Sequence, residues 1–521
     1  MKKLTALLLA LALCLSLAAC GPAQAPAAVV RYGLSNAWDS LMPYNSPSGS
    51  NYTRIVCDKI YDRLAYVHAD GTLDPRGAVS WESADGGLAV LFHLNEGAAF
   101  HDGTPVTAEH WADTIALMTH PDCPTLGRSA FNVLAGTDDS GAALAGETLG
   151  AEAVEEYTLK LTFKTPTAPE DFLLDRNREY YVLPTHLLEG ADPAEVMDLE
   201  LWQAPVGSGP CQFVEELPGS QLTLRANPDY QLGAPGFDLL VISVVDKSNL
   251  LPSLIAGDLD YYAFGGSVTA EAARTAEAGG IDVLEGTVPT TFYELMLNNE
   301  TIDSAAIRQA LDLALDKEAL CLHTAQGYGE PAASDLTPGT AYTSSLTWQR
   351  DVEEAKALLA EGGYDGRTYK LACTSNRSGL AALMQQQFSE AGVDVLIETV
   401  DSATLFSGMA EGRYDMAIAS HTPGALPLWF VESRFSDGNN IFHVADLEPY
   451  QALIAAVKAA PGRAERQALV EELQALLARE RPFLPLWFGR ALHAQSPTVD
   501  GIDYPSSSFS NENVWEWEMK P

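Results

Sequence analysis

Short apolar and alternating stretches, separated by turn-forming residues, run along the first half of the chain. They predict strands over Val29 to Leu34, Ala89 to Leu94 and Tyr157 to Phe163. Apolar residues at helical spacing predict helices over Asn51 to Tyr66 and over Thr107 to Met118, the second with Thr107 as its N-cap. We therefore expect this half to contribute a mixed sheet with helices.

The second half alternates strands and helices more regularly. Apolar positions from Ser304 to Ala325 recur at helical intervals, which predicts one amphipathic helix. A strand over Tyr369 to Thr374, a helix ending at Ala391 and a strand over Val393 to Val400 form a β-α-β pattern, followed by a strand over Tyr414 to Ala419. Such alternation favours parallel strands covered by helices.

The last part of the chain contains its longest helical pattern. Leu447 to Arg479 predicts either one long helix or a pair kinked around Pro461 and Gly462. Arg481 to Phe488 contains two prolines, so this segment is predicted to be extended. The pattern as a whole predicts an α/β protein.

Composition narrows the class of protein. A chain of 521 residues is expected to form two or three domains or lobes. Its hydrophobic fraction of 47% is too high for a disordered acidic tail. The 70 acidic residues against 31 basic ones give a net charge of −39, which disfavours nucleic acid as a partner.

The N-terminus predicts export. Lys2 and Lys3 precede an apolar stretch from Leu4 to Leu17, which is too short for a membrane span and typical of a signal peptide. Leu17-Ala18-Ala19-Cys20 is similar to the lipobox of bacterial lipoproteins, in which the cysteine becomes the lipid-carrying N-terminus. We therefore expect residues 1–19 to be removed, Cys20 to anchor the protein outside the cytoplasm, and residues 20–28 to form a tether.

Neither the cysteines nor the search for catalytic motifs indicates an enzyme. Five cysteines remain after processing and lipidation, and no CxxC occurs, which favours buried thiols while leaving one disulfide open. The sequence contains no HExxH, P-loop, GxGxxG or GxSxG motif. We expect neither catalysis nor a cofactor.

Eight segments in a fixed order carry a family resemblance. They are Trp81 to Gly86, Leu91 to Leu94, Phe100 to Glu109, Pro205 to Pro210, Asn227 to Tyr230, Ile255 to Asp260, Leu297 to Lys317 and Glu354 to Tyr364. Together they resemble the family 5 extracellular solute-binding proteins of bacterial ABC importers, the peptide and nickel group. The chain departs from the family pattern at Asn95, where a basic residue is common, and at Cys211, where an aromatic residue is common.

The resemblance implies a two-lobed, periplasmic-binding-protein-like α/β fold of the class II type, with mixed sheets and helices on both faces. It implies ligand capture between hinged lobes, with hinge crossings near Val288 to Thr290 and near Pro482 to Leu486. The implied division is lobe I at 29–48, 190–288 and 484–521, an inserted subdomain of lobe I at 49–189, and lobe II at 289–483.

The resemblance leaves two ligand classes open. Peptide binders of the family have a Trp followed by an Asp that pairs with the N-terminal ammonium of the peptide. In this chain His421 and Gly424 stand near the positions that match this Trp and this Asp, so both residues are lost. Thr422 to Pro427 partly resembles a segment of the nickel-type proteins, and Arg178 lies much as their carboxylate-binding arginine does. A guanidinium is well suited to grip a carboxylate in a bidentate manner.

We expect a monomeric, lipid-anchored receptor that captures an oligopeptide or peptide-like small ligand and delivers it to ABC permease subunits. The alternatives are a receptor for a metal–chelator complex and a ligand-sensing lipoprotein without transport. The candidate ligand-binding residues are Arg178, His421, Trp429, Tyr44, Tyr293, Trp38 and Asn298. In the metal alternative, His421 and His443 would contact the metal that the chelator presents.

Overall fold

The computed structural model describes residues 27–45, 50–68, 70–262, 268–340, 342–424, 426–460, 463–503 and 513–520, and for Arg178 it describes only the backbone. The predicted signal peptide, Cys20 and most of the predicted tether lie outside the described residues, as do Pro461 and Gly462. No helix within the described ranges is both long and apolar enough to cross a membrane.

The strands contain many β-branched and aromatic residues, which pack well on a pleated surface. In chain order they are β1 Val29–Leu34, β2 Ala65–Val67, β3 Leu73–Pro75, β4 Ala78–Ala84, β5 Ala89–Leu94, β6 Ala151–Glu155, β7 Thr158–Thr162, β8 Cys211–Leu217, β9 Gln221–Ala226, β10 Leu239–Val244, β11 Tyr261–Tyr262, β12 Asp282–Glu285, β13 Thr291–Leu297, β14 Gly329–Pro331, β15 Tyr369–Cys373, β16 Val395–Thr399, β17 Met416–His421, β18 Phe483–Gly489, β19 Leu492–Gln495, β20 Val499–Asp500 and β21 Glu518–Met519.

Several helices begin at a polar residue whose side chain accepts a backbone N–H of the first turn, as Asp351 and Asp401 do. The α-helices are Asn51–Ile60, Ala108–Thr119, Pro169–Arg176, Leu250–Ala256, Ala270–Ala278, Ala305–Ala314, Lys317–Ala325, Val352–Glu361, Ser378–Glu390, Ser402–Ala410, Val431–Arg434, Glu448–Ala459 and Arg463–Glu480.

Two large mixed sheets define two lobes. The first lobe has a seven-stranded sheet in the order β12-β19-β11-β1-β10-β9-β8, in which β1 runs parallel to β10 and β11. The second lobe has a six-stranded sheet in the order β14-β18-β13-β17-β15-β16, in which β15 runs parallel to β16 and β17. Each sheet is covered by buried apolar clusters, so the expected α/β class with mixed sheets is confirmed.

A separate four-stranded antiparallel sheet, in the order β4-β5-β7-β6, lies between β1 and β8 in the sequence. It shares a continuous apolar cluster with the first lobe, including Tyr32 and Trp111. We call this part of the chain the inserted subdomain, and we propose to keep its predicted bounds of 49–189.

The chain passes between the two large sheets at two places. The first passage is the segment from residue 286 to residue 290, between β12 and β13. The second is Arg490 and Ala491, because all of β18 pairs within the six-stranded sheet. This position differs from the predicted crossing at Pro482 to Leu486, and we propose to move the end of lobe II from residue 483 to residue 489.

Several element boundaries also differ from the sequence prediction. The first predicted helix ends at Ile60, because Tyr61 is extended and the chain then forms β2. The single helix predicted over Ser304 to Ala325 is two helices, with Leu315 extended between them and Asp316 capping the second. The C-terminal pattern is a pair of helices, the second of the two expected alternatives.

The five cysteines among the described residues are all buried and unpaired. Burial raises the pKa of the Cys211 thiol to about 12 and that of the Cys321 thiol to about 11. These side chains therefore act as small apolar groups in the core, as the favoured interpretation of the sequence expects.

Candidate functional site

One edge of each large sheet faces the other lobe. In the first lobe, the carboxyl ends of β1, β10, β11 and β12 lie at the edge from which the first passage leaves. In the second lobe, β13 begins at the same passage, and its antiparallel neighbours β17 and β18 end beside its first residues. Because β15 runs parallel to β17, its carboxyl end lies at this edge too. We call the space between these edges the cleft.

Arg377 is the main cationic group at the second lobe's edge. It lies just beyond the end of β15, and its guanidinium donates to the Ile418 carbonyl oxygen at 2.9 Å and to the Ser420 hydroxyl at 2.6 Å. Its charge also lies 5.5 Å from the centroid of the Tyr293 ring. Burial lowers the pKa of Arg377, but a guanidinium remains charged at neutral pH.

The charge of Arg377 has no carboxylate partner among the described residues, although acidic residues outnumber basic ones in the chain. Its two bonds are to neutral oxygens and use only part of its five N–H donors. Tyr293 in turn stacks on Trp487, with ring centroids 4.4 Å apart, which fixes the ring beneath the guanidinium. The arrangement is suited to receive an anionic group from the cleft.

His421 lies on the other face of the same sheet edge. Its Nε2 is 2.7 Å from Oε1 of Glu294, a fully buried carboxylate on β13. Arg434 lies 3.3 Å from both ring nitrogens. The imidazole ring is therefore held between the Glu294 carboxylate and the Arg434 guanidinium, and 17% of the His421 side chain is exposed.

Trp429 and His421 both lie against the Phe430 ring, with centroids 5.3 Å and 5.5 Å from it. The Trp429 ring meets Phe292 edge-on at 5.7 Å, and its indole N–H donates to the Asp335 carbonyl oxygen at 3.1 Å. Burial raises the pKa of the Asp335 carboxyl to about 6, although the hydrogen bond that Gln474 donates to this carboxyl acts to lower the pKa. The Asp335 carboxyl is therefore a fully buried, hydrogen-bonded polar group within the second lobe.

Three more of the predicted residues, Trp38, Asn298 and His443, already have hydrogen-bond partners within the protein. The Trp38 indole donates to Glu216 at 2.7 Å, close to the carboxyl end of β1. Asn298 is fully buried and accepts a hydrogen bond from the Glu300 amide at 3.0 Å, in a turn after β13. His443 lies 2.7 Å from the Met409 carbonyl oxygen. Arg178 has its backbone in the 3-10 turn Asn177–Glu179, and its side chain lies outside the description.

Tyr44 borders a cavity of about 170 Å³ in the inserted subdomain. The Tyr44 hydroxyl donates to the Tyr181 carbonyl oxygen at 2.9 Å and accepts from the Tyr181 amide at 2.8 Å, which holds both rings in place. Arg54 and Glu179 also line this cavity. The guanidinium of Arg54 donates only to the Asn51 side chain, at 2.9 Å, among the described residues.

The cavity lies beside the first lobe's edge of the cleft. Tyr52, in the first turn of the helix that carries Arg54, has its hydroxyl 2.7 Å from the Ser35 hydroxyl and 2.9 Å from the Asn36 amide nitrogen. Ser35 and Asn36 directly follow β1. The structure thus places one guanidinium, Arg54, at the first lobe's side and another, Arg377, at the second lobe's side.

Sequence reasoning did not select Arg377, Glu294, Arg434 or Arg54. The signal for Arg377 was present, because it follows the first strand of the predicted β-α-β unit, where ligand-binding residues of α/β sheets collect. No comparable signal existed for Glu294, since a single acid inside an apolar strand reads as an exposed position. No group of three or more metal-ligating side chains occurs within the described ranges.

Comparison with known proteins places the chain among solute-binding proteins. A family model for bacterial extracellular solute-binding proteins, family 5, matches residues 72–442. The oligopeptide-binding protein AppA of Bacillus subtilis is 24% identical over 486 residues, which cover 85% of this chain and 83% of the relative.

Two solved structures show the same fold. MppA, a periplasmic murein tripeptide binding protein in an unliganded open form, has a TM-score of 0.79 at 19% identity, covering 95% of this chain and 98% of its own. NikZ from Campylobacter jejuni, in complex with Ni(L-His), has a TM-score of 0.64 at 20% identity, covering 95% of this chain and 100% of its own. The architecture is therefore that of a two-lobed binding protein.

Proposed function

Because this chain belongs to family 5 of the bacterial extracellular solute-binding proteins, we propose that it captures a peptide or a peptide-like small ligand in the cleft and passes it to the permease of an ABC importer. We propose further that it works outside the cytoplasm, tethered by a lipid on Cys20. The oligopeptide-binding relative supports the ligand class. We propose no catalytic step.

The observation that carries the ligand proposal is Arg377. This half-buried guanidinium, at the edge where the lobes meet, has lost hydration without gaining an opposite charge from any described residue. A carboxylate from the cleft supplies that charge and forms charge-assisted hydrogen bonds with the free donors. The C-terminal carboxylate of a short peptide has the required chemistry.

Binding would work by shifting the relation between the two lobes. A ligand held by both cleft edges favours the lobe arrangement in which the two edges are close. It shifts the equilibrium between open and closed arrangements only as far as it binds the closed one more tightly. The carboxylate on Arg377 would secure the ligand to the second lobe. Contacts near Arg54 and the end of β1 would secure it to the first lobe.

Titration of the purified protein with trialanine and with its C-terminal amide tests this proposal. We expect trialanine to bind more tightly than the amide, and Arg377→Gln to weaken trialanine binding by about 10- to 100-fold while leaving the amide little changed. Arg367→Gln is the matched control, because Arg367 is an exposed arginine of the same lobe paired with Asp365. Equal binding of acid and amide would rule out a role for Arg377 in carboxylate recognition.

A metal–chelator complex is the second candidate ligand. His421, partly exposed at the cleft edge, is the observation that favours it, together with the likeness to the NikZ fold. Native mass spectrometry of the protein before and after a chelator wash separates the two candidates. Co-purified peptides would exclude the metal proposal, and stoichiometric nickel without peptide would exclude the peptide proposal.

The anchor has its own test. We expect Cys20→Ser to prevent incorporation of labelled fatty acid and to release the protein from the cell envelope. Labelled fatty acid in the Cys20→Ser variant would show that Cys20 is not the attachment site.

A further inference from the structure

An ion pair joins the inserted subdomain to the second lobe without passing through the hinge. Asp171, on the helix Pro169–Arg176, contacts the guanidinium of Arg466, on the helix Arg463–Glu480. The first helix belongs to the apolar cluster of the first lobe through Phe172, and the second packs in a cluster of the second lobe through Val470. The pair therefore spans two parts of the molecule that the chain itself connects at residues 286–290 and 490–491.

Arg466 is fixed in place by the second lobe alone. Its guanidinium donates to the carbonyl oxygens of Val457 at 3.1 Å and Ala460 at 2.9 Å, and to the Tyr342 hydroxyl at 3.2 Å. Only 7% of its side chain is exposed. The charge is thus held at the lobe surface in a prepared position, so little conformational freedom is lost when a carboxylate arrives.

Asp171 is the only carboxylate paired with Arg466 among the described residues. It lies in the first turn of its helix, and 27% of its side chain stays exposed. Burial raises the pKa of Asp171 even though Arg466 opposes that effect, which means that the carboxylate gives up much of its hydration to make the contact. The gain from the ion pair and this loss of hydration offset each other, so the contact is suited to form and break reversibly.

We propose that Asp171 and Arg466 form a latch between the inserted subdomain and the second lobe, which raises the population of the lobe arrangement seen here independently of ligand. Neither residue belongs to the groups assigned to ligand binding. The latch therefore sets the fraction of protein that is in this arrangement before any ligand arrives. If a ligand binds only one arrangement, its apparent affinity depends on the fraction of protein already in that arrangement.

Distance measurement between spin labels tests the latch in the ligand-free, full-length receptor domain, so the result is independent of the proposed ligand. Thr165→Cys and Ala468→Cys place labels at exposed positions near the two ends of the pair. We expect Asp171→Asn to shift the distance distribution to longer and broader values, because the attraction between opposite charges on the two helices is then lost. Asp171→Glu is expected to restore the native distribution.

Asp175→Asn is the matched control. It removes the same charge from the same helix, but Asp175 is exposed and pairs with its neighbour Arg176. An unchanged distribution in Asp171→Asn would overturn the latch. An equal shift in Asp175→Asn would overturn it as well, because the effect would then follow the total charge of the helix.

Discussion

At the scale of single residues, His101 joins two of the family motifs, Phe100 to Glu109 and Pro205 to Pro210. The His101 amide donates to the Gly207 carbonyl oxygen at 2.8 Å, while its ring accepts from the Gly207 amide at Nδ1 and lies 3.0 Å from the Gly209 carbonyl oxygen at Nε2. One ring nitrogen accepts and the other donates, so the ring is neutral in the folded protein. These motif residues thus hold the inserted subdomain against the first lobe.

This histidine predicts a pH dependence of stability. Burial lowers the pKa of His101 from 6.5 to about 4, so the unfolded chain binds the proton more readily than the folded one. The contribution of the neutral His101 ring to the free energy of unfolding is complete above pH 6.5. It is lost as the pH falls towards 4, which lowers the free energy of unfolding by up to about 3 kcal/mol. Urea denaturation at pH 7.5 and 4.5 should show a smaller loss of unfolding free energy in His101→Gln than in the native protein.

His93→Gln is the control for that measurement, since the His93 ring is 41% exposed on the same subdomain. The variant should retain the native dependence on pH. The assignment to His101 would fail if His101→Gln and the native protein lost the same free energy of unfolding between the two pH values.

At the scale of elements, close backbone approach decides where the helix Asn51–Ile60 ends. A Cβ on Gly207 would lie 1.9 Å from the Ile60 carbonyl oxygen, and one on Gly209 would lie 2.7 Å from the Ile60 carbonyl carbon. The Gly209 amide donates to that same carbonyl oxygen at 2.8 Å. The glycine-rich segment therefore caps the helix by direct contact, which the local helical pattern of residues 51–66 does not reveal.

Substitution of this glycine should be costly. We expect Gly207→Ala to lower the free energy of unfolding by about 3 kcal/mol, because backbone atoms must move to admit the methyl group. Thermal unfolding of the variant measures the loss. Gly438→Ala, where the new methyl group meets no atom within 4 Å, should leave the melting temperature close to native. Equal melting temperatures for the two variants would contradict the account.

At the scale of the whole molecule, Arg490 joins the two passages between the lobes. It follows β18 directly, and its guanidinium donates to the Thr287 carbonyl oxygen at 2.8 Å and to Glu330 at 2.7 Å. The passages are also joined by backbone bonds from Gly286 to Ala491 and from Thr290 to Gly489, each 2.9 Å long. The two passages are therefore braced against each other, and separating them would cost these contacts.

Hydrogen exchange should report this bracing. We expect the amides of Gly286 and Thr290 to exchange about five to ten times faster in Arg490→Gln, because charge-assisted bonds no longer hold the passages together. Arg479→Gln is the matched control, since Arg479 is 66% exposed and its ion pair is with the neighbouring Glu480. The same exchange rates at Gly286 and Thr290 in both variants would show that Arg490 does not brace the hinge.

Local pattern alone was sufficient for many elements and for the family. β1 and β5 have their predicted bounds, because a strand bounded by turn residues carries its own signal in hydrophobic pattern. The family match confirms the resemblance that the ordered motifs indicated. Export and lipid attachment at Cys20 remain predictions of the sequence.

The tertiary structure decided which charges meet. Whether a cation is paired depends on residues far apart in the chain: Asp171 pairs with Arg466, whereas no acid of the described part of the chain pairs with Arg377. The pairing of charges cannot be read from the hydrophobic periodicity of the sequence, because Coulomb interaction and desolvation depend on distances in space and not on distances along the chain. The sequence therefore determined that two lobes form, and the packing of those lobes determined which of the described charged side chains meet an opposite charge.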